Sequence, residues 1–181
     1  MSDRGSAVPH LVHLVARLRV GLGFACGLAV FWFAAPTKTT ILAGLPVALA
    51  GELVRVWAAG HLNKSREVTN SGPYCFVAHP LYLGSSIIGA GLAIGSGSLV
   101  VAAIVAVYLT VTLSAAIKSE EAFLRRVFGD EYDQFRHRRH VDRERRFSWA
   151  RAMANREYRA VIGVLLALLL LVFKATYNGL F

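Results

Sequence analysis

A histidine stands between an aromatic turn and a helix start in the stretch Gly72-Pro73-Tyr74-Cys75-Phe76-Val77-Ala78-His79-Pro80-Leu81-Tyr82-Leu83-Gly84. The Gly-Pro step marks a turn. Pro80 suits a first helical turn, where its missing N–H would have no partner anyway. Further along, beyond a strongly apolar region, come Glu120 and Glu121. Carboxylates pair with ammonium groups, and the aromatic faces of Tyr74, Phe76 and Tyr82 stabilise cations. These residues would suit a cationic ligand with an amino-acid moiety. Taken alone, Glu120-Glu121 would fit a solvated helix running on into Phe123, Leu124 and Val127. Joined to the turn, the pair reads as part of one polar site.

Glu52 and Arg55 fall inside an apolar stretch, where ionisable groups are costly and pair or line a cavity. Their i,i+3 spacing allows a mutual ion pair, and Arg55 is the candidate for an anionic group of a substrate. His137 and His140 share the same spacing, but no carboxylate stands where a third ligand is needed, so a surface role is preferred to a metal site. Arg136, Arg138, Arg139, Arg143, Arg145 and Arg146 read as a solvated or lipid-facing basic surface, with one or two available to a phosphate or carboxylate head group.

Five apolar segments must position these groups: about Val20–Ala35, Thr40–Gly60, Leu81–Ile94, Leu99–Ile117 and Ala160–Lys174, the last with room to reach Tyr177. A span takes about 20 residues, so the third is short. Gly95-Ser96-Gly97-Ser98 folds spans three and four into a helical hairpin, which returns Glu120 and Glu121 to the membrane face that holds His79 and Tyr82. Ser85, Gly89, Ala93 and Gly97 form a small-residue row suited to helix packing. Gly21-Leu22-Gly23-Phe24-Ala25-Cys26-Gly27 opens a membrane helix with no strand before it, so it is packing and not a phosphate loop. Segment 8–20 carries Leu11, Leu14, Val15 and Leu18 at helical spacing and suits an interfacial helix.

Composition agrees with a multi-pass membrane protein forming a single domain over 1–181. Mean hydropathy is +0.49, and 55% of residues are hydrophobic, which is high for a soluble chain. The net charge of +9 does not indicate nucleic acid, because 11 of the 20 Lys and Arg lie between Arg125 and Arg159, beside membrane spans. Arg4, Arg17 and Arg19, then Lys64 and Arg66, then the Arg-rich segment all fall on one side, leaving Lys38 and Lys174 on the other. The positive-inside rule therefore predicts a cytoplasmic N-terminus, a C-terminus on the opposite side and a polar site facing the cytoplasm. Arg17 and Arg19 before an apolar run imitate a signal peptide, but further spans follow, so an uncleaved first helix is expected. Asn63-Lys64-Ser65 is a glycosylation pattern by chance, on the cytoplasmic side. Cys26 and Cys75 supply neither a disulfide framework nor a Cys-rich metal site.

The ordered set Gly51-x-x-x-Arg55, Gly60-x-Leu62-x-Lys64, Val68-Thr69-x-Ser71-Gly72-Pro73-Tyr74, His79-Pro80-Leu81-Tyr82-Leu83-Gly84, Glu120-Glu121 and Phe128-Gly129-Asp130-Glu131-Tyr132-x-x-Phe135 resembles the isoprenylcysteine carboxyl methyltransferase and phospholipid methyltransferase superfamily over residues 51–140. The resemblance implies an all-α membrane enzyme that uses S-adenosylmethionine and methylates a small lipophilic acceptor: a carboxylate, amine, thiol or phospholipid head group. It maps Gly72, Pro73, Tyr74, His79, Pro80, Tyr82, Gly84, Glu120 and Glu121 to the cofactor pocket. Arg55 and residues after Tyr132 lie nearer the acceptor, with Arg55 and Glu121 as the catalytic candidates. The lipid bilayer is the expected partner, and neither a metal nor nucleic acid is expected. Where the superfamily usually places Arg before the His-Pro step, this chain has Ala78, and Val141-Asp142-Arg143 replaces its usual Val-Pro-Arg. Two further readings remain: an NADPH-dependent membrane reductase of sterol-reductase-like architecture, and a non-catalytic relative that keeps the scaffold.

Overall fold

The computed structural model describes residues 21, 23–64, 67–129 and 145–179. Every regular element among them is helical. In chain order they are α1 (Gly23–Phe33), α2 (Lys38–His61), a 3-10 turn (Gly72–Cys75), α3 (Pro80–Gly95), α4 (Leu99–Phe128), α5 (Trp149–Ala154) and α6 (Tyr158–Tyr177). Helices α2, α4 and α6 are long and apolar enough to cross a membrane. As the sequence predicts, α3 is shorter: 16 residues rise about 24 Å, against a hydrocarbon core of about 30 Å. The outward surface is apolar, with Phe24, Leu28, Trp32, Leu53, Leu99, Val107, Leu169 and Phe173 all exposed. Within α4, Val101 is the buried residue. A chain with this exterior is built for lipid, where helices satisfy their own backbone groups.

Local signals set the element ends. Thr37 caps α2 in a reciprocal box with Thr40. Pro80 occupies the first turn of α3, and Ser98 accepts from Val101 N–H to start α4. In the hairpin turn Gly97 adopts φ +63°, and a Cβ there would lie 2.5 Å from the Ala35 carbonyl. Only glycine meets both demands.

Helices α2 and α3 pack backbone to backbone. A Cβ on Gly44 would lie 2.3 Å from Gly91 O, one on Gly51 2.6 Å from Ile88 N, and one on Gly91 2.3 Å from Ala48 N. The small-residue seam is therefore Gly84, Gly91 and Gly95 against Gly44, Ala48 and Gly51. It is not the row Ser85, Gly89, Ala93 and Gly97 suggested by i+4 spacing. Gly89 turns instead toward α4, where its Cβ would meet Leu109 at 2.4 Å. Since α3 is apolar on every side, its sequence alone cannot say which stripe meets α2.

Helix α6 closes the bundle through two clusters, Ala48–Ile88–Val164–Leu168 and Ala34–Ile41–Val101–Leu171–Ala175. At one end Lys174 Nζ donates to the carbonyls of Phe31 and Trp32, holding the end of α1. At the other, α5 covers the last turn of α2. Arg151 Nε donates to Gly60 O at 2.8 Å, and Asn155 Nδ2 donates to Ala59 O and Leu62 O, each at 2.9 Å. These bonds satisfy helix-end carbonyls that have no partner within the helix. Several sequence expectations lie outside the described residues: Arg4, Arg17 and Arg19, the 8–20 segment, Ser65, Arg66, Tyr132 and Phe135, His137 and His140, and Arg136, Arg138, Arg139 and Arg143.

Candidate active site

The hairpin of α3 and α4 brings the two halves of the polar set together. His79 is the N-cap of α3, and Glu120 and Glu121 lie on α4 beyond the apolar part that ends near Ile117. The His79 Nε2 atom is 3.3 Å from Glu121 Oε1, and Nδ1 is 3.6 Å from Glu120 Oε2. The Tyr82 ring lies 5.6 Å from the imidazole, centroid to centroid, and its phenol hydrogen-bonds Glu120. Partial burial works against a charged imidazole, but the hydrogen bonds and charges of Glu120 and Glu121 outweigh it and hold the His79 pKa above its ordinary value. Glu121 is the more enclosed acid, at 22% side-chain exposure against 41% for Glu120.

The turn forms the second wall. Gly72 takes φ +57°, and a Cβ there would stand 2.6 Å from the His61 ring. The turn is thus seated on the last residue of α2, and Pro73 is buried beneath it. His61 bonds Trp57 O through Nδ1 at 3.0 Å and packs against Phe147. Tyr74 is half-buried. Burial first, then the negative charge of Glu120, pushes its phenol pKa well above the usual value.

A second polar group centres on Arg55. Its Nε and Nη2 donate to Glu157 Oε1 at 2.7 Å and Oε2 at 3.2 Å. Its Nη1 donates to Ser85 Oγ at 2.6 Å and Leu81 O at 3.4 Å. The Glu52–Arg55 pair that the sequence spacing allows is therefore not the one formed. Both oxygens of Glu52 are buried without a hydrogen-bond partner among the described residues. Arg55 has spent four of a guanidinium's five N–H donors on protein groups, which leaves little for a substrate anion. Gly84, placed in the cofactor pocket by resemblance, sits at the α2–α3 seam, where a Cβ would meet Arg55 Cγ at 2.5 Å. Arg145, assigned to a basic surface, instead makes a two-pronged ion pair with Glu67.

An apolar cavity of about 600 Å³ opens between α3 and α4 beside this cluster. Val77, Leu83, Leu109, Leu113 and Ile117 supply its apolar lining, and His79 and Tyr82 stand at its polar end. Ala78 is part of the same wall. Glu121 lies one turn beyond Ile117 on the same helical face, so the carboxylate sits just past the mouth. Sequence reasoning missed Glu157, Asn155 and Phe147, since each acts on α2 from the far end of the chain without any local pattern. Among the described residues no group of three or more His, Cys, Asp or Glu is arranged to hold a metal.

The fold and site define a helical membrane protein with a carboxylate–histidine cluster at the mouth of a lipid-side cavity. The chain belongs to the phospholipid methyltransferase family, whose model matches residues 18–131. It is 33% identical over 109 residues to the nickel-cobalt-cadmium resistance protein NccN of Alcaligenes xylosoxydans xylosoxydans, covering 59% of this chain and 49% of that protein. It is also 33% identical over 87 residues to the protein-S-isoprenylcysteine O-methyltransferase of Schizosaccharomyces pombe, covering 48% of this chain and 37% of that enzyme. The chain thus spans less than half the length of these curated relatives. No solved structure matches it.

Proposed function

We propose that the chain is an S-adenosylmethionine-dependent membrane methyltransferase acting on a small lipophilic acceptor. The observation that carries this reading is His79 held between Glu120 and Glu121 at the polar end of an apolar cavity. The residues present suit the cofactor, since two carboxylates can receive its ammonium group and the Tyr74 and Tyr82 rings can face its sulfonium. When bound, the cofactor supplies an electrophilic methyl group for in-line displacement. The chain's own part is positioning. Gly72, Pro73 and Tyr74 form one wall, and His79, Pro80 and Tyr82 the base. His79 fixes the rotamers of Glu120 and Glu121, and the α3–α4 cavity aligns the acceptor and keeps water away. Where the acceptor nucleophile carries a proton, Glu121 is the group placed to take it.

The orientation belongs to the same proposal. Lys64, Arg125, Arg126, Arg151, Arg156 and Arg159 lie at the helix ends that carry the site, while Lys38 and Lys174 mark the other end. The positive-inside rule then turns the site toward the cytoplasm and the C-terminus away from it. Calorimetric titration of the purified protein in detergent tests the cofactor directly. Saturable S-adenosylmethionine binding without NADPH binding is expected, and the reverse preference would replace this reading with the reductase.

A further inference from the structure

The family model ends at residue 131, yet the group that anchors Arg55 comes from residue 157. Glu157 is 6% exposed and grips Arg55 with both oxygens. The remaining donors of Arg55 reach Ser85 Oγ and Leu81 O, and Ser85 Oγ itself donates to Leu81 O at 2.9 Å. Leu81 and Ser85 belong to the opening turns of α3. In the same turns the amides of Tyr82 and Leu83 bond the carbonyl of His79, each at 3.1 Å. Polar contacts therefore run from the corner before α6, across α2, to the first turns of α3, whose backbone leads directly to the residue that holds the two glutamates.

Resting on the methyltransferase reading for its functional consequence, we propose that Glu157 is a positioning residue: through Arg55 it fixes the first turns of α3, and with them His79, at the place where Glu120 and Glu121 reach the imidazole. The reason is competition for one guanidinium. Glu52 lies three residues before Arg55 on the same helix, and its carboxyl group has no hydrogen-bond partner among the described residues. With Glu157 in place, Arg55 extends toward α3. Without that charge, Glu52 is the nearest acid, and turning to it takes Arg55 off Ser85 and Leu81. Glu52 is thus the built-in rival that makes the Glu157 charge necessary.

The test is a set of variants of the full chain in detergent, read by S-adenosylmethionine titration and by amide hydrogen exchange of the 80–86 segment. Glu157→Gln is expected to weaken binding about tenfold and to speed exchange at Tyr82 and Leu83. Glu52→Gln alone leaves both near wild type. The double variant Glu52→Gln/Glu157→Gln recovers most of the loss, because the rival acceptor has lost its charge. A purely structural role would make the double variant no better than Glu157→Gln. Unchanged exchange in Glu157→Gln, or a double variant without recovery, overturns the proposal. Should Glu157→Gln not yield monodisperse protein, Ser85→Ala cuts the same linkage at α3, and unchanged exchange in that variant is equally decisive. If the wild type binds no S-adenosylmethionine, the functional reading falls, while the exchange measurements still decide whether Glu157 governs the start of α3.

Discussion

His79 Nε2 lies 3.3 Å from Glu121 Oε1, although 42 residues and a helical hairpin separate the two in the chain. The contact joins the start of α3 to the polar extension of α4 at the end where the hairpin is open. It fixes an acid at the mouth of the α3–α4 cavity, and it makes the site sensitive to one proton.

That proton gives a pH dependence of defined sign. The folded His79 pKa is raised above the ordinary histidine value of about 6.5, so its interaction with the glutamates is fully stabilising below that value and is lost as pH rises through the raised one. Thermal midpoints of wild type and His79→Gln, compared across this range in detergent, should differ most on the acid side of 6.5 and converge on the alkaline side. A gap that widens with rising pH would contradict the assignment.

Removal of the Glu121 charge should act on ligand more than on fold. A charge-assisted hydrogen bond contributes roughly 1.5–3 kcal/mol, so Glu121→Gln is expected to weaken S-adenosylmethionine binding by one to two orders of magnitude. The more exposed Glu120 should cost less when changed to Gln. Titration calorimetry on both variants measures the order, and equal or reversed effects would argue against Glu121 as the principal acid.

Filling the cavity should separate acceptor from cofactor. Ala106 lines the α4 side, away from the carboxylates. Ala106→Phe is expected to abolish or strongly slow methylation of a lipophilic acceptor while leaving S-adenosylmethionine affinity within about twofold, since the added ring fills the cavity and leaves the polar end unchanged. Methylation assays beside binding titrations check this. A parallel loss of both would place the acceptor elsewhere.

The α2–α3 seam allows no side chain. Gly91→Ala sets a Cβ 2.3 Å from the Ala48 backbone nitrogen, and backbone cannot rotate away as a flexible side chain can. Destabilisation of about 1–3 kcal/mol is expected, visible as a lowered midpoint by differential scanning fluorimetry. Gly163→Ala, with nothing within 4 Å of the new Cβ, serves as the comparison and should stay within about 0.5 kcal/mol of wild type.

Much of this architecture is legible residue by residue. Apolar run length marks α2, α4 and α6, Pro80 marks the start of α3, and the Gly-Ser turn at 95–98 marks the hairpin. The hairpin in turn requires Glu120 and Glu121 to return toward His79. These signals are local, because chain geometry and lipid solvation act on short stretches. Packing partners are different. Arg55 has an acid three residues away, yet it binds one 102 residues away. The i+4 row on α3 suggests one seam, yet the helix presents another. Gly84 ends the stretch that begins at His79, yet its missing side chain makes room for Arg55.

The sequence by itself therefore determined a helical membrane protein with its polar residues collected at one end, since hydropathy and turn chemistry need no knowledge of distant neighbours. Tertiary structure alone decided which charges meet and which face of α3 is buried. It also decided that Glu157, at the corner before α6, is the acid that pairs with Arg55. In an all-apolar bundle every helical face is nearly equivalent in sequence, and only close packing, with the need to pair buried charge, selects among them.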